Sequence, residues 1–135
     1  MSASFFDTNV LLYVASADPL KADRVIDVLG DGGTISVQVL NEIANVARRK
    51  MRLSWSETRA LLSDFRDLLV VRPLTSNVHE TGLGLAERYG LSIYDSMIVA
   101  SALDADCEIL WSEDMQHGMA IEDRLRIVNP FRVEA

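Results

Sequence analysis

Ser4-Phe5-Phe6-Asp7-Thr8-Asn9-Val10-Leu11-Leu12-Tyr13 decides the fold class. A short apolar run with β character ends on an acid, and a helical apolar pattern begins almost at once. A strand that runs straight into a helix opens a βα unit, not a hairpin. The spacing predicts a strand over 4–6 and a helix over 9–17. Pro19 suits the first turn of a second helix, which ends near Gly30. Asp31-Gly32-Gly33 reads as a turn into a short strand over 34–36.

The same alternation continues outward. Val39, Leu40, Ile43, Val46 and Ala47 repeat at helical spacing over 39–48. A helix over 55–68 buries Leu61, Leu62, Phe65 and Leu69, and a strand over 69–72 is stopped by Pro73. Residues 75–89 read as helical despite Gly82 and Gly84. The segment 94–105 is apolar nearly all round (Met97, Ile98, Val99, Ala100, Ala102, Leu103), which places it centrally. Strands over 109–111 and 126–128 close the set. Strands alternating with helices imply an α/β layer fold with a central, mainly parallel sheet. No Pro/Gly/Ser-rich linker, repeat or low-complexity stretch interrupts the chain, so 1–135 reads as a single domain.

Composition narrows the chemistry. With 135 residues, 49% of them hydrophobic and 24% charged, the chain can fill one core without staples. One cysteine, Cys107, excludes an internal disulfide and a multi-cysteine zinc site. His79 and His117 read as surface or turn residues, too few for a His-based centre. No stretch is apolar enough to span a bilayer, and Met1-Ser2-Ala3-Ser4 lacks a basic leader, so a cytoplasmic place is expected. Thirteen basic against twenty acidic residues give −7, which argues against gripping nucleic acid by bulk charge. Carboxylates are the expected carriers of any chemistry.

Four acids hold special places. Asp7 abuts the first strand; taken alone it reads as a helix N-cap, with Asn9 either holding the carboxylate or sharing in the capping. Glu42 falls at the edge of an apolar helix face, where a boundary glutamate would otherwise reach solvent or bond Arg49 or Asn45. Asp95 opens the central helix, again a capping position. Asp114 follows the strand over 109–111, beyond Ser112-Glu113. Sites in parallel sheets gather beyond the C-terminal strand ends. Acids meeting there repel one another, and oxygen-only donors favour Mg²⁺ or Mn²⁺ over zinc.

Four segments carry a resemblance. Phe6-Asp7-Thr8-Asn9-Val10-Leu11-Leu12-Tyr13, Ser36-Val37-Gln38-Val39-Leu40-Asn41-Glu42, Tyr94-Asp95-Ser96-Met97-Ile98-Val99-Ala100 and Ser112-Glu113-Asp114 resemble the ordered acidic motifs of PIN-domain proteins, especially the toxins of VapBC-type toxin–antitoxin pairs. The resemblance implies a PIN-like three-layer fold and a Mg²⁺-dependent ribonuclease, with RNA as substrate. It also implies a cognate antitoxin and a homodimer. By motif it assigns metal-binding or catalytic roles to Asp7, Glu42, Asp95 and Asp114, with Ser112 where the family often has threonine. Gln116 stands where many members add an acid, a place Glu113 would have to serve.

Arg48, Arg49, Lys50 and Arg52 form a local basic cluster, either an RNA contact or cations suited to a helix C-terminus. Trp55, Phe65, Trp111 and Phe131 read as core or interface anchors, and Cys107 as a buried filler. Gly82-Leu83-Gly84 is no dinucleotide fingerprint, because Glu87 occupies the third glycine position. Two rival readings stand beside the nuclease. One is an aspartate-nucleophile phosphatase, weakened by Asn9 where a D-x-D motif needs its second acid. The other is an RNA- or protein-binding domain with a metal site too poor to turn over.

Overall fold

Ser4–Phe6 (β1) runs through the middle of the sheet in the computed structural model, which describes residues 3–132. Met1 and Ser2, part of the start read above for a leader, lie outside the described residues. Phe5 and Phe6 are both fully buried. Successive strand side chains point to opposite faces, so both faces of β1 must be covered. Helices do this.

In chain order, β1 is followed by Thr8–Leu11 (α1), a 3₁₀ turn Leu12–Ala15, Pro19–Leu29 (α2), Thr34–Ser36 (β2) and Val37–Arg49 (α3). Trp55–Leu68 (α4), Val70–Arg72 (β3), Ser76–Tyr89 (α5) and Ile93–Asp104 (α6) come next. Ile109–Trp111 (β4), Ala120–Ile121 (β5) and Leu125–Val128 (β6) complete the described set. The sheet order is β3-β2-β1-β4-β6-β5, parallel throughout except for β5 against β6. This is the expected α/β fold with a mainly parallel sheet flanked by helices. No described helix is long and apolar enough to cross a membrane.

Local chemistry sets the helix starts. Asp18 accepts from the Lys21 N–H ahead of Pro19, Ser36 from Val39, and Thr75 from Val78. Ser54 and Glu57 form a reciprocal capping box, and each such cap is worth about 1 kcal/mol. The helix expected over 9–17 is shorter. Asp7 caps it one residue earlier, the chain leaves it by a 3₁₀ turn over Leu12–Ala15, and Asp18 is extended before Pro19. The central helix is buried along Ser96–Leu103, as its composition requires. β5 went unseen because two residues carry no period.

The aromatic expectations divide. Phe65 is buried, while Trp111 is half-buried with its Nε1–H on Ser4 Oγ at 3.2 Å. Phe131 meets Tyr13 edge-to-face at 5.0 Å. Trp55 is no core residue: it is 62% exposed and carries the Arg48 guanidinium 4.3 Å above its ring. Cys107 is buried.

Two glycines answer to packing. A Cβ on Gly82 would lie 2.7 Å from Met97 Sδ, which lets α5 close on α6. A Cβ on Gly33 (φ +152) would lie 2.6 Å from the buried Phe6 ring and 2.9 Å from the Ser4 carbonyl. Gly33→Ala is expected to cost on the order of 2–3 kcal/mol through overpacking and backbone strain. Gly84 has nothing within 4 Å of such a Cβ, so Gly84→Ala should stabilise by about 1 kcal/mol. Urea denaturation of the two variants checks both signs.

Candidate active site

The chain builds outward from β1 through β2 to β3, then returns to the other side of β1 as β4. A parallel sheet opens a crevice at such a reversal, beyond the C-terminal strand ends. Phe6 pairs with Trp111 across it, and the Asp7 N–H continues the ladder to the Trp111 carbonyl at 2.9 Å. Asp7 and Ser112 therefore face each other at the switch point.

Asp7 is only 3% exposed. Its Oδ1 accepts the Thr8 N–H at 2.7 Å; its Oδ2 accepts the Ser112 hydroxyl at 2.8 Å and Asn9 Nδ2 at 3.1 Å. The capping reading is thus correct, and the same carboxylate also belongs to the acidic group. All three donors are neutral. Burial pushes the Asp7 carboxyl up to about 6 although Ser112 and Thr8 pull it down, and the charges of Asp95 and Glu42 add to the rise.

Glu42 comes to the same place from α3, which starts at the end of β2 under the Ser36 cap. Thr8 Oγ1 donates to Oε1 at 2.5 Å and Gln38 Nε2 to Oε2 at 3.2 Å. These are its partners, in place of the Arg49 or Asn45 considered from sequence. Gln38 also donates to the Tyr94 carbonyl at 3.0 Å, tying α3 to the first turn of α6. Asp95 lies in that turn, half-buried, but does not open the helix. Ser92 is the cap, accepting the Asp95 N–H at 3.2 Å, so Asp95 is the third helical residue. Burial raises the Asp95 carboxyl against a bond from Ser92, and the Asp114 charge raises it further.

Asp114 is exposed and accepts Asn9 Nδ2 at 3.1 Å. Asn9 Oδ1 in turn accepts the Glu113 N–H at 3.0 Å, which determines that the amide presents its NH₂ end to both acids. Hydrogen bonds through Thr8 and Asn9, and the mutual charges of the acids, therefore link the four expected acids at one edge of the sheet. Ser112 joins them directly.

Glu113 does not. Its Oε1 accepts the Tyr13 hydroxyl at 2.6 Å and its Oε2 pairs with Lys21 at 2.6 Å. Burial pushes that carboxyl up, but Lys21 and Tyr13 outweigh it and hold it below the ordinary range. With Glu113 committed and Gln116 exposed in the loop, neither adds a carboxylate to the group. The basic cluster sits further along: Arg48 and Arg49 end α3, Lys50 caps it, and Arg49, Lys50 and Arg52 are exposed. Arg48 also donates to the Leu53 carbonyl at 2.8 Å.

No ion pair reaches Asp7, Glu42, Asp95 or Asp114 among the described residues. Nor do any three His, Cys, Asp or Glu of those residues converge closely enough to chelate an ion unaided. The donors are oxygens throughout. That array fits a hydrated hard cation, which keeps most of its waters and takes one or two carboxylates, and not a zinc cage. A larger cleft, about 780 Å³, opens between α5 and α6, and both arginines that line it are paired, Arg88 with Glu122 and Arg124 with Asp106.

Sequence reasoning missed Thr8 and Gln38 as holders of Glu42, and Lys21 as the partner of Glu113. Only Gln38 left a signal, four residues before Glu42 on one helix face.

An acidic cluster at the switch point of a parallel, helix-flanked sheet defines the class. The family model described as PIN domain matches residues 4–119, and the chain belongs to that family. Among solved structures it is similar to a toxin–antitoxin complex from Klebsiella pneumoniae (21% identity, TM-score 0.73, covering 97% of this chain and 100% of that one). It is also similar to VapC20 from Mycobacterium tuberculosis, a Sarcin-Ricin loop cleaving toxin (16%, TM-score 0.69, 83% and 90%). DNA-bound VapBC from Salmonella typhimurium is a third (19%, TM-score 0.69, 94% and 97%). At these identities the likeness speaks for the fold. A comparison with curated proteins found no match.

The raised Asp7 acid makes the metal-free protein pH-sensitive. From about pH 4 to 6 the unfolded chain releases this proton while the folded chain keeps it, so stability falls as pH rises through that window. The contribution is about 3 kcal/mol. Urea denaturation in chelator at pH 4, 5, 6 and 7 should show this loss in the natural chain and not in Asp7→Asn. Parallel curves would contradict the buried-carboxylate description.

Proposed function

We propose that this PIN domain is a metal-dependent endoribonuclease, the cytoplasmic toxin of a toxin–antitoxin pair. One observation carries the reading: a buried carboxylate, ringed by three more, with no cationic side chain to neutralise it among the described residues. Asp7 and Asp95 are the direct holders of Mg²⁺, or Mn²⁺, with Asp114 bound directly or through water. When bound, the cation supplies positive charge for phosphate oxygens and a more acidic water.

The chain's own residues do the positioning. Ser112 and Asn9 hold the Asp7 carboxylate, and Asn9 carries Asp114 with it. Glu42, held by Thr8 and Gln38, is placed to take a proton from the attacking water or to share in holding the cation. Water oxygen bonds to phosphorus, the P–O3′ bond breaks, and the 3′ oxygen gains a proton. The products carry a 5′-phosphate and a 3′-hydroxyl. Arg49, Lys50 and Arg52 are exposed cations for the strand's phosphates.

The toxin role and its partners draw support from the similar proteins, several of which stand in complexes with antitoxins. The reading expects a second copy of this chain and a small antitoxin encoded next to it.

Incubation with total cellular RNA tests the activity. Cleavage should require Mg²⁺ or Mn²⁺ and fall roughly 10²–10³-fold in Asp7→Asn and in Asp95→Asn. Asn9→Ala, which loosens two acids without removing either, should lose roughly 10–100-fold. Undiminished cleavage in excess chelator would overturn the proposal. Metal binding with no cleavage of any RNA would favour a binding domain instead.

A further inference from the structure

A mainly apolar hollow of about 450 Å³ adjoins the acids. Leu12, Tyr13, Val46, Met51 and Glu113 line it, and Asn9, which bonds Asp7 and Asp114, forms the wall it shares with the acidic group. We propose that this hollow receives one unstacked nucleobase of the RNA strand whose phosphate lies at the acids. The inference rests on the nuclease reading and deepens it to a base-binding subsite.

Size and lining suit a small planar ligand: preformed, mostly apolar, with a few polar groups at one side. Single-stranded RNA offers such ligands, since its bases splay out and stack on aromatic side chains. Tyr13 is braced for this. Its hydroxyl is held by Glu113, Phe131 meets its ring edge-on at 5.0 Å, and Lys21 Nζ lies 4.7 Å from its ring centroid. A wall already immobilised loses little entropy on binding.

The order of groups along α3 matches a strand of RNA. Glu42, Val46 and Arg49 recur at intervals of about one turn on one helix face, giving carboxylate, apolar wall and exposed cation in succession. Arg52 adds a second exposed cation beside Met51 in the chain. An apolar protein side chain would fill the hollow as well, but it would bring no anion to the cations exposed at and just after the end of α3. A nucleotide brings both.

Methyl-¹³C methionine labelling turns Met51 into a reporter. In Mg²⁺ buffer the natural chain is titrated with AMP, CMP, GMP and UMP, and with ribose 5-phosphate as the baseless control. At least one nucleotide should shift the Met51 methyl saturably at millimolar concentration, with ribose 5-phosphate leaving it unmoved. The buried Met97 methyl should stay still in every titration. Ala15 also lines the hollow and is exposed, so Ala15→Phe should close it and weaken the response at least tenfold. If that variant misfolds, the natural chain's titrations decide alone. A Met51 methyl silent to all four nucleotides, or shifted equally by ribose 5-phosphate, overturns the proposal. The readout is binding, so the two readings fail separately. RNA cleavage with a silent Met51 removes the subsite and spares the nuclease; a responsive Met51 in a chain that cuts no RNA does the reverse.

Discussion

The Asp7 carboxylate is trapped by the sheet before any ligand enters the account. Phe5 and Phe6 are fully buried on opposite faces of β1, and the residue after them ends the strand inside the crevice between β1 and β4. An ionised group there needs compensation. Three neutral donors, from Thr8, Asn9 and Ser112, supply part of it, yet burial still prevails and leaves the acid near 6. A lysine could have settled the charge. Lys21 joins the same hydrogen-bond chain through Glu113 and Asn9, but it is committed to Glu113 and Tyr13.

Other elements are secured around that one group. The Ser36 cap starts α3 at the end of β2, so Glu42 arrives one and a half turns later, where Thr8 meets it. Gln38 bridges from Glu42 to the Tyr94 carbonyl and so fixes the first turn of α6, which carries Asp95. Asn9 spans Asp7, Asp114 and the Glu113 backbone, tying the loop after β4 to the residues after β1. The acidic cluster is therefore without a cationic partner among the described residues, while neutral hydrogen bonds hold Asp7, Glu42 and Asp114 in place. Such a frame holds like charges at fixed positions, a preorganised arrangement for a cation and a phosphate.

Much of this was legible in the chain. Apolar runs alternating with helical spacing gave the parallel α/β class, and Asp7, Glu42, Asp95 and Asp114 stood out by their places near strand ends and helix faces and by the motifs that resemble those of PIN domains. What stayed hidden depends on contacts distant in sequence or on very short segments. The two-residue β5 carries no periodicity, and Asp95 looked like a cap because Ser92 precedes an exposed Ile93-Tyr94 pair that does not announce a helix. Trp55 was read as a core or interface anchor, and only the core half of that reading fails: its ring stacks on Arg48 at the surface, which hydrophobicity cannot foresee. The orientation of the Asn9 amide follows only from a backbone N–H more than a hundred residues away.

Anomalous diffraction from crystals grown with Mn²⁺ addresses the central claim most directly. The account predicts an anomalous peak bonded to the Asp7 carboxylate, with Asp95 or Asp114 bonded directly or through water. A peak lodged elsewhere, or an empty pocket in which Asp7 takes a cationic side chain as its partner, would contradict it.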